Sequence, residues 1–281
     1  MKISATTVML PHLDLRQTCK LLGDLGFDGI ELRVRRLAPE GANDAPSPWG
    51  RHLTDVSPDN ILERADEIKS AVVEHELQFA GFASACSASD LEHVKLLCEG
   101  AQAVGCPAIR LSCPGYNGTA NYHELYEKAV ANYKEALAVT RSYGVKILVE
   151  MHGGTIHPSA SLAHRIVSNF DPADIGVIYD PQNMVIDGFE TIQLALELLG
   201  DYLAHIHAGA HRPLPNEPNE KGIVTWSWPG CPMSEGLYDF SKMVECLRKM
   251  GYTGFISIED FRGDCSPEER LGNAISFLRS L

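Results

Sequence analysis

A glutamate and a histidine close the run KILVEMHGG, residues 146–154. Apolar strands ordinarily end in turn residues, so Glu150 and His152 stand out at this tip. Side chains at i and i+2 of a strand share a face. Lys146, Leu148, Glu150 and His152 therefore share one face, and Ile147 and Val149 share the other. Three later apolar runs also end in polar residues: IGVIYD in Asp180, LAHIHAG in His207 and GFISIEDF in Glu259. Neighbouring parallel strands lie about 4.8 Å apart, so one side chain from each of four consecutive tips can reach a common point. Three bare carboxylates there would repel one another and take up protons. A divalent cation resolves the conflict, and an oxygen-rich set with one nitrogen suits Mn²⁺, Mg²⁺, Co²⁺ or Zn²⁺. Taken singly, each acid reads as a helix cap or a surface charge, and the histidine as a satisfied core residue. The coincidence of four tips favours the metal.

The elements that must position these residues follow from periodicity. Residues 3–10 (ISATTVML) read as a strand, and Asp14 caps a helix carrying Leu15, Cys19, Leu22 and Leu25. GFDGIELRV is a turn and a strand with Glu31 and Arg33 on one face. Residues 35–58 form a long loop with Trp49, His52 and Asp55; loops of that length in compact domains are functional or disordered. Further helices are expected at 59–75, 90–104, 121–143 (ended by Gly144), 160–169, 190–200, 236–250 and 267–280. The intervening strands are 77–84, 108–113, 146–152, 175–180, 203–209 and 254–261, and a second long loop, 211–235, holds Trp226 and Trp228. Strict alternation of eight strands with eight helices predicts a parallel sheet closed into a single (β/α)8 TIM barrel over residues 1–281, without a linker. An open doubly wound sheet is the alternative, weakened by the lack of a Gly-x-Gly-x-x-Gly turn after the first strand. GFDGIE (26–31) and GYTGFISIE (251–259) echo each other, each ending its strand in a glutamate.

Bulk properties narrow the function. A net charge of −13 opposes a nucleic-acid or anionic-membrane partner. The eight cysteines include no Cys-x-x-Cys pair, as expected for free thiols in a reducing cytosol. MKISATTVML is too short and polar for a signal peptide, and no run has the length of a membrane span, so a cytoplasmic protein is expected.

The tips VEMH, YDPQN, HIHAG and SIED, with the GFDGIEL and GYTGFISIE turns, resemble the xylose isomerase-like TIM-barrel superfamily over the whole chain. The likeness is narrower to its sugar epimerase/isomerase branch of ketose 3-epimerases, hydroxypyruvate isomerase and inosose dehydratase. It implies one divalent metal, manganese first, held by Glu150, Asp180, His207 and Glu259, with Glu150 and Glu259 also the proton-transfer pair. A metal on a carbonyl and its neighbouring hydroxyl stabilises an enediolate, and two carboxylates move the proton. Return to the opposite face epimerises, return to the next carbon isomerises, and loss of a β-hydroxyl dehydrates. The expected activity is therefore isomerisation or epimerisation of a small sugar, ketose or polyol derivative. The alternative is dehydration of an inosose or a hydroxylated cyclic keto acid. An apurinic endonuclease of the endonuclease IV type and a non-catalytic sugar-binding subunit are remoter. The implied partners are a carbohydrate substrate and further copies of the chain, as a dimer or tetramer.

The chain departs from the branch in places. The epimerases often place a histidine three residues after the metal-binding aspartate, where this chain has Asn183. Many relatives carry Lys-Asp shortly after the strand-seven histidine, where this chain runs His207-Ala208-Gly209-Ala210. His211 and Arg212 are the nearest basic groups, candidates for substrate hydroxyls, a carboxylate or a phosphate. His152 and Asn183 are also expected to contact substrate. His205 shares the face of His207 but lies deeper, in a core or supporting role. Arg110 and Glu31 sit near other strand ends, where a buried Arg–Glu pair is one reading. The tryptophans either face a sugar ring or pack the loops.

Overall fold

The structure, a computed structural model, describes residues 1–41, 43–112 and 114–281. Cys113, at the end of the expected strand 108–113, and Ala42, in the first long loop, lie outside the described residues. Eight parallel strands close a barrel: β1 (Lys2–Thr6), β2 (Gly29–Arg33), β3 (Gln78–Ala83), β4 (Ala108–Arg110), β5 (Lys146–Glu150), β6 (Ile175–Tyr179), β7 (Leu203–Ala208) and, after a two-stranded excursion, β10 (Phe255–Ile258). The order around the barrel is β1-β10-β7-β6-β5-β4-β3-β2, so the first and last barrel strands pair and leave no edge. Helices fill the crossovers: α1 (Leu15–Asp24), α2 (Ala65–Glu74), α3 (Leu91–Val104), α4 (Tyr122–Tyr143), α5 (Ala160–Val167), α6 (Pro181–Asp187), α7 (Ile192–Leu199), α8 (Phe240–Lys249) and α9 (Pro267–Ser280).

The two faces of each strand enter different cores, as barrel closure requires. Ile147 and Val149 join the large cluster between strands and helices. Leu148 instead joins Ala108 and Ile178 in a small cluster, with Ala204 packed on it. Glu150 lies on the face of Leu148. Asp14 and Gln17 form a capping box on α1, and Gly144 ends α4 at φ +67, which a residue with a Cβ adopts only with strain.

Several elements differ in extent from the periodicity. β1 stops at Thr6 and turns into a 3-10 segment, Thr7–Met9. The helix expected from 59 begins at Ala65, because side chains of the preceding stretch bond to the backbone. Asn60 donates to the Asp55 carbonyl at 2.8 Å and accepts from the Ser57 N–H at 2.9 Å, which holds turns in place of helix. α6 is not among the helices expected from periodicity; it has only seven residues, too few to show a period, although Asp180 caps it and Pro181 opens it. The second long loop contains a hairpin, β8 (Leu214–Pro215) with β9 (Trp226–Ser227). Seven cysteines are described and all are free, six of them buried. Among the described residues no helix is long and apolar enough to cross a membrane.

Candidate metal centre

Four barrel positions deliver the residues singled out by type and spacing. Glu150 is the last residue of β5, and Asp180 follows β6 as the cap of α6. His207 lies within β7, and Glu259 follows β10 with its N–H still donating to the Ala208 carbonyl at 2.9 Å. All four are buried, and one ligand atom from each lies within 4.8 Å of the others. His207 Nδ1 is 2.9 Å from Glu150 Oε1 and 2.9 Å from Glu259 Oε2, with Asp180 Oδ2 at 3.8 Å. The convergence needs Gly209: a methyl group there would lie 2.2 Å from the Glu259 carbonyl oxygen and 2.1 Å from Gln182 Oε1. Three buried carboxylates around one imidazole nitrogen fit a divalent cation, which would supply the positive charge that burial withholds.

Glu31 completes the arrangement from below. Its Oε1 is 3.1 Å from His207 Nε2, its Oε2 is 3.4 Å from His205 Nε2, and Ser257 Oγ donates to Oε2 at 2.7 Å. With Nε2–H given to Glu31, His207 turns the Nδ1 lone pair toward the carboxylate cluster, the geometry in which a carboxylate fixes the tautomer of a metal-binding histidine. His205 takes the supporting place expected of it. The Arg110–Glu31 pair is not formed. Arg110 Nη1 contacts Glu150 instead, and its Nε and Nη2 donate to the Ser84 carbonyl at 3.0 and 2.9 Å. The reason is barrel closure: β4 and β5 are neighbours, so Arg110 reaches Glu150, whereas Glu31 on β2 is taken up by His205 and His207 of β7 and Ser257 of β10. The supporting role of Glu31 went unread, although its turn and strand echo those of Glu259.

The family model described as "Xylose isomerase-like TIM barrel" matches residues 19–281. The chain belongs to this family. No curated protein matches it in sequence. Among solved structures, 3-keto-D-glucoside 4-epimerase YcjR from E. coli is similar over 100% of both chains, at 16% identity and TM-score 0.74. The probable 3-DHS dehydratase AsbF from Bacillus anthracis is similar over 99% of both chains, at 15% identity and TM-score 0.75. The IOLI protein with a bound zinc atom is similar over 98% of this chain and 96% of its own, at 17% identity and TM-score 0.72. At these identities the likeness is one of fold.

The cluster of this xylose isomerase-like barrel is strongly polarised. Burial would raise Glu31, but the His207 charge and the two imidazole hydrogen bonds hold it well below the usual carboxylate range. Burial likewise opposes charge on His207, yet Glu31 and Glu259 push its proton affinity well above that of a free imidazole. Glu259 is raised by burial, with Glu150 and Asp180 adding to the effect, whereas Arg110 overcomes the burial of Glu150 and lowers it. A metal must therefore displace a proton from His207, so raising the pH favours the metal. Metal affinity measured by calorimetry is expected to rise about tenfold per pH unit for each proton released, between about pH 6 and 8. Affinity independent of pH across that range would contradict the shared role of His207.

The remaining sequence candidates are scattered. Asn183 Nδ2 donates to Asp180 Oδ2 at 2.5 Å and its Oδ1 accepts from Gly153 N–H at 3.2 Å, tying α6 to the loop after β5. β5 ends at Glu150, so His152 stands exposed in that loop, with Nδ1 2.7 Å from the Gly153 carbonyl oxygen. It borders a cavity of about 200 Å³ lined also by Arg110, Glu150, Ser112 and His157. His157 was not singled out from sequence; burial pushes it down to about 4, so it is neutral, and its Nε2 has no partner. His211 and Arg212 make no hydrogen bond or ion pair with the four-residue cluster, and Arg212 pairs with Glu235 at 3.2 Å. Trp49 is 64% exposed with its ring 4.9 Å from that of Phe261, Trp226 is exposed on the hairpin, and Trp228 packs on the core.

Proposed function

We propose that this protein is a divalent-metal-dependent isomerase or epimerase of a small sugar, ketose or polyol derivative. The observation that carries the reading is the pair Glu150 and Glu259, each 2.9 Å from the same imidazole nitrogen in a buried cluster with Asp180. A divalent ion held by Glu150, Asp180, His207 and Glu259 would supply positive charge to the oxygens of a substrate carbonyl and its neighbouring hydroxyl. Manganese suits a set with three carboxylates and a single imidazole. One glutamate takes the proton from the carbon beside the carbonyl, and the other returns a proton from the opposite side. Arg110, anchored on the Ser84 carbonyl, holds Glu150 in its ionised form and fixes its orientation.

A second reading, dehydration of a hydroxylated ketone, draws on His152, which borders the cavity that Glu150 lines. There an imidazole could protonate a departing hydroxyl, which leaves as water. Incubation of manganese-loaded protein with ketoses, inososes and keto acids in deuterium oxide separates the two readings. Deuterium appearing at carbon with the substrate formula intact supports isomerisation or epimerisation, whereas an unsaturated product lacking water supports dehydration. Neither exchange nor water loss across these substrate classes would sink both.

A further inference from the structure

Strand β2 carries more than Glu31. Arg33 lies two residues further along the same face, at the mouth of the barrel, and Arg35 follows. With Arg51 and His52 from the first long loop they line a cavity of about 470 Å³, completed by Leu37, Leu53, Asp55 and Val56. Three guanidinium groups against one carboxylate is the reverse of the balance of the chain, whose net charge is −13.

None of the three arginines forms an ion pair among the described residues. Arg33 is buried, gives one bond to the Gly50 carbonyl at 2.8 Å, and leaves its Nε without a partner. The buried Nε of Arg35 is also unpartnered, and Arg51 reaches only the Asp44 carbonyl at 3.5 Å. Burial lowers the proton affinity of both Arg33 and Arg35 to about 10, so both stay charged near neutrality. Leaving buried charges without counter-charge is costly. His52 is pushed down to about 4 by burial and by Arg33, so it is neutral; its Nε2 bonds the Pro48 carbonyl and its Nδ1 is free to accept.

The cavity adjoins the metal centre. Arg35 feels the charges of Glu150, Glu259 and Arg110. Its guanidinium also stands 5.8 Å from the Trp49 ring, which packs on Phe261, two residues after Glu259.

We infer that the cavity between Arg33, Arg35, Arg51 and His52 is an anion subsite, which receives the phosphate or carboxylate end of the substrate whose carbonyl end lies at Glu150 and Glu259. The inference rests on the proposed function for the second half of that statement only. Arginine forks bind phosphate and carboxylate through paired charge-assisted hydrogen bonds, and the free His52 Nδ1 accepts from a sugar hydroxyl.

The test is calorimetric titration of metal-free protein with D-ribose, D-ribose 5-phosphate, D-gluconate and inorganic phosphate. At least one anionic sugar is expected to bind tenfold or more tightly over D-ribose, and which one does so separates phosphate from carboxylate. Arg35→Gln is expected to weaken that binding by about tenfold or more. Arg51→Gln, at a half-exposed position, serves if the first variant fails to fold, and the surface substitution Arg16→Gln is the control. No preference for an anion in the wild-type protein overturns the inference, as does binding unchanged in both cavity variants. Loss in Arg212→Gln but not in Arg35→Gln moves the anion to the second long loop and also overturns it. Because these readings use metal-free protein, they stand apart from deuterium exchange, which tests the reaction.

Discussion

Replacing Glu259 with glutamine is expected to slow deuterium exchange at the substrate carbon on the order of 10² to 10⁴-fold, and replacing Glu150 to do the same. Glutamine has the shape of glutamate and keeps one oxygen toward the centre, so the barrel is retained. It can neither accept the substrate proton nor carry the charge that faces His207. Because the two glutamates act as a unit, the double variant is expected to lose little more than either single one. Two measurements give the result its meaning. Metal content of each variant, taken alongside exchange, separates loss of the ion from loss of proton transfer. If excess manganese restores exchange, the glutamate is a ligand and no more. Exchange at the wild-type rate in either variant removes that residue from the proposed pair.

The second large effect is expected at Glu31, which touches no substrate in the proposed arrangement. Glu31→Gln should weaken metal binding about 10- to 100-fold. The carboxylate accepts from His205, His207 and Ser257 together, and a neutral amide can neither bias His207 toward Nε2–H to the same degree nor offset the positive charge that a bound ion places on the ring. Nδ1 is then less available to the ion. Glutamine still accepts from Ser257, so the fold should hold. A residue that only filled the core would give a different pattern, with a lower melting temperature and unchanged metal affinity. The split between these two readouts decides whether Glu31 positions His207 or merely packs beneath it.

The candidate centre was legible to the extent that it depends on one strand at a time. Glu150, Asp180, His207 and Glu259 each end or nearly end an apolar run, and the α/β alternation says that such ends meet at one mouth. Asn183 was visible only as a departure from relatives. Its bond to Asp180 needs α6, a helix too short to have a period. The role of Glu31 was out of reach for another reason. It bonds a histidine 176 residues away, across the barrel interior, and no local pattern reports which inward-facing residues oppose each other. Arg110 was noticed but given the wrong partner, because strand adjacency, which brings it to Glu150, is set by closure.

The loops show the same boundary. Residues 35–58 stood out for their length and for Trp49, His52 and Asp55, yet only the folded chain brings Arg35 and Arg51 to the wall that Arg33 begins. His211 and Arg212 drew notice by closeness in sequence to His207, and in the folded chain Arg212 pairs with Glu235. Sequence alone therefore determined the barrel, the face of each strand and the four inward residues at its mouth, since these follow from periods of two and 3.6 residues. Tertiary structure decided which charges meet: Glu31 with His207, Arg110 with Glu150, and three arginines with no carboxylate partner among the described residues. Those pairings depend on barrel closure and loop path, which act over distances that no sequence period spans.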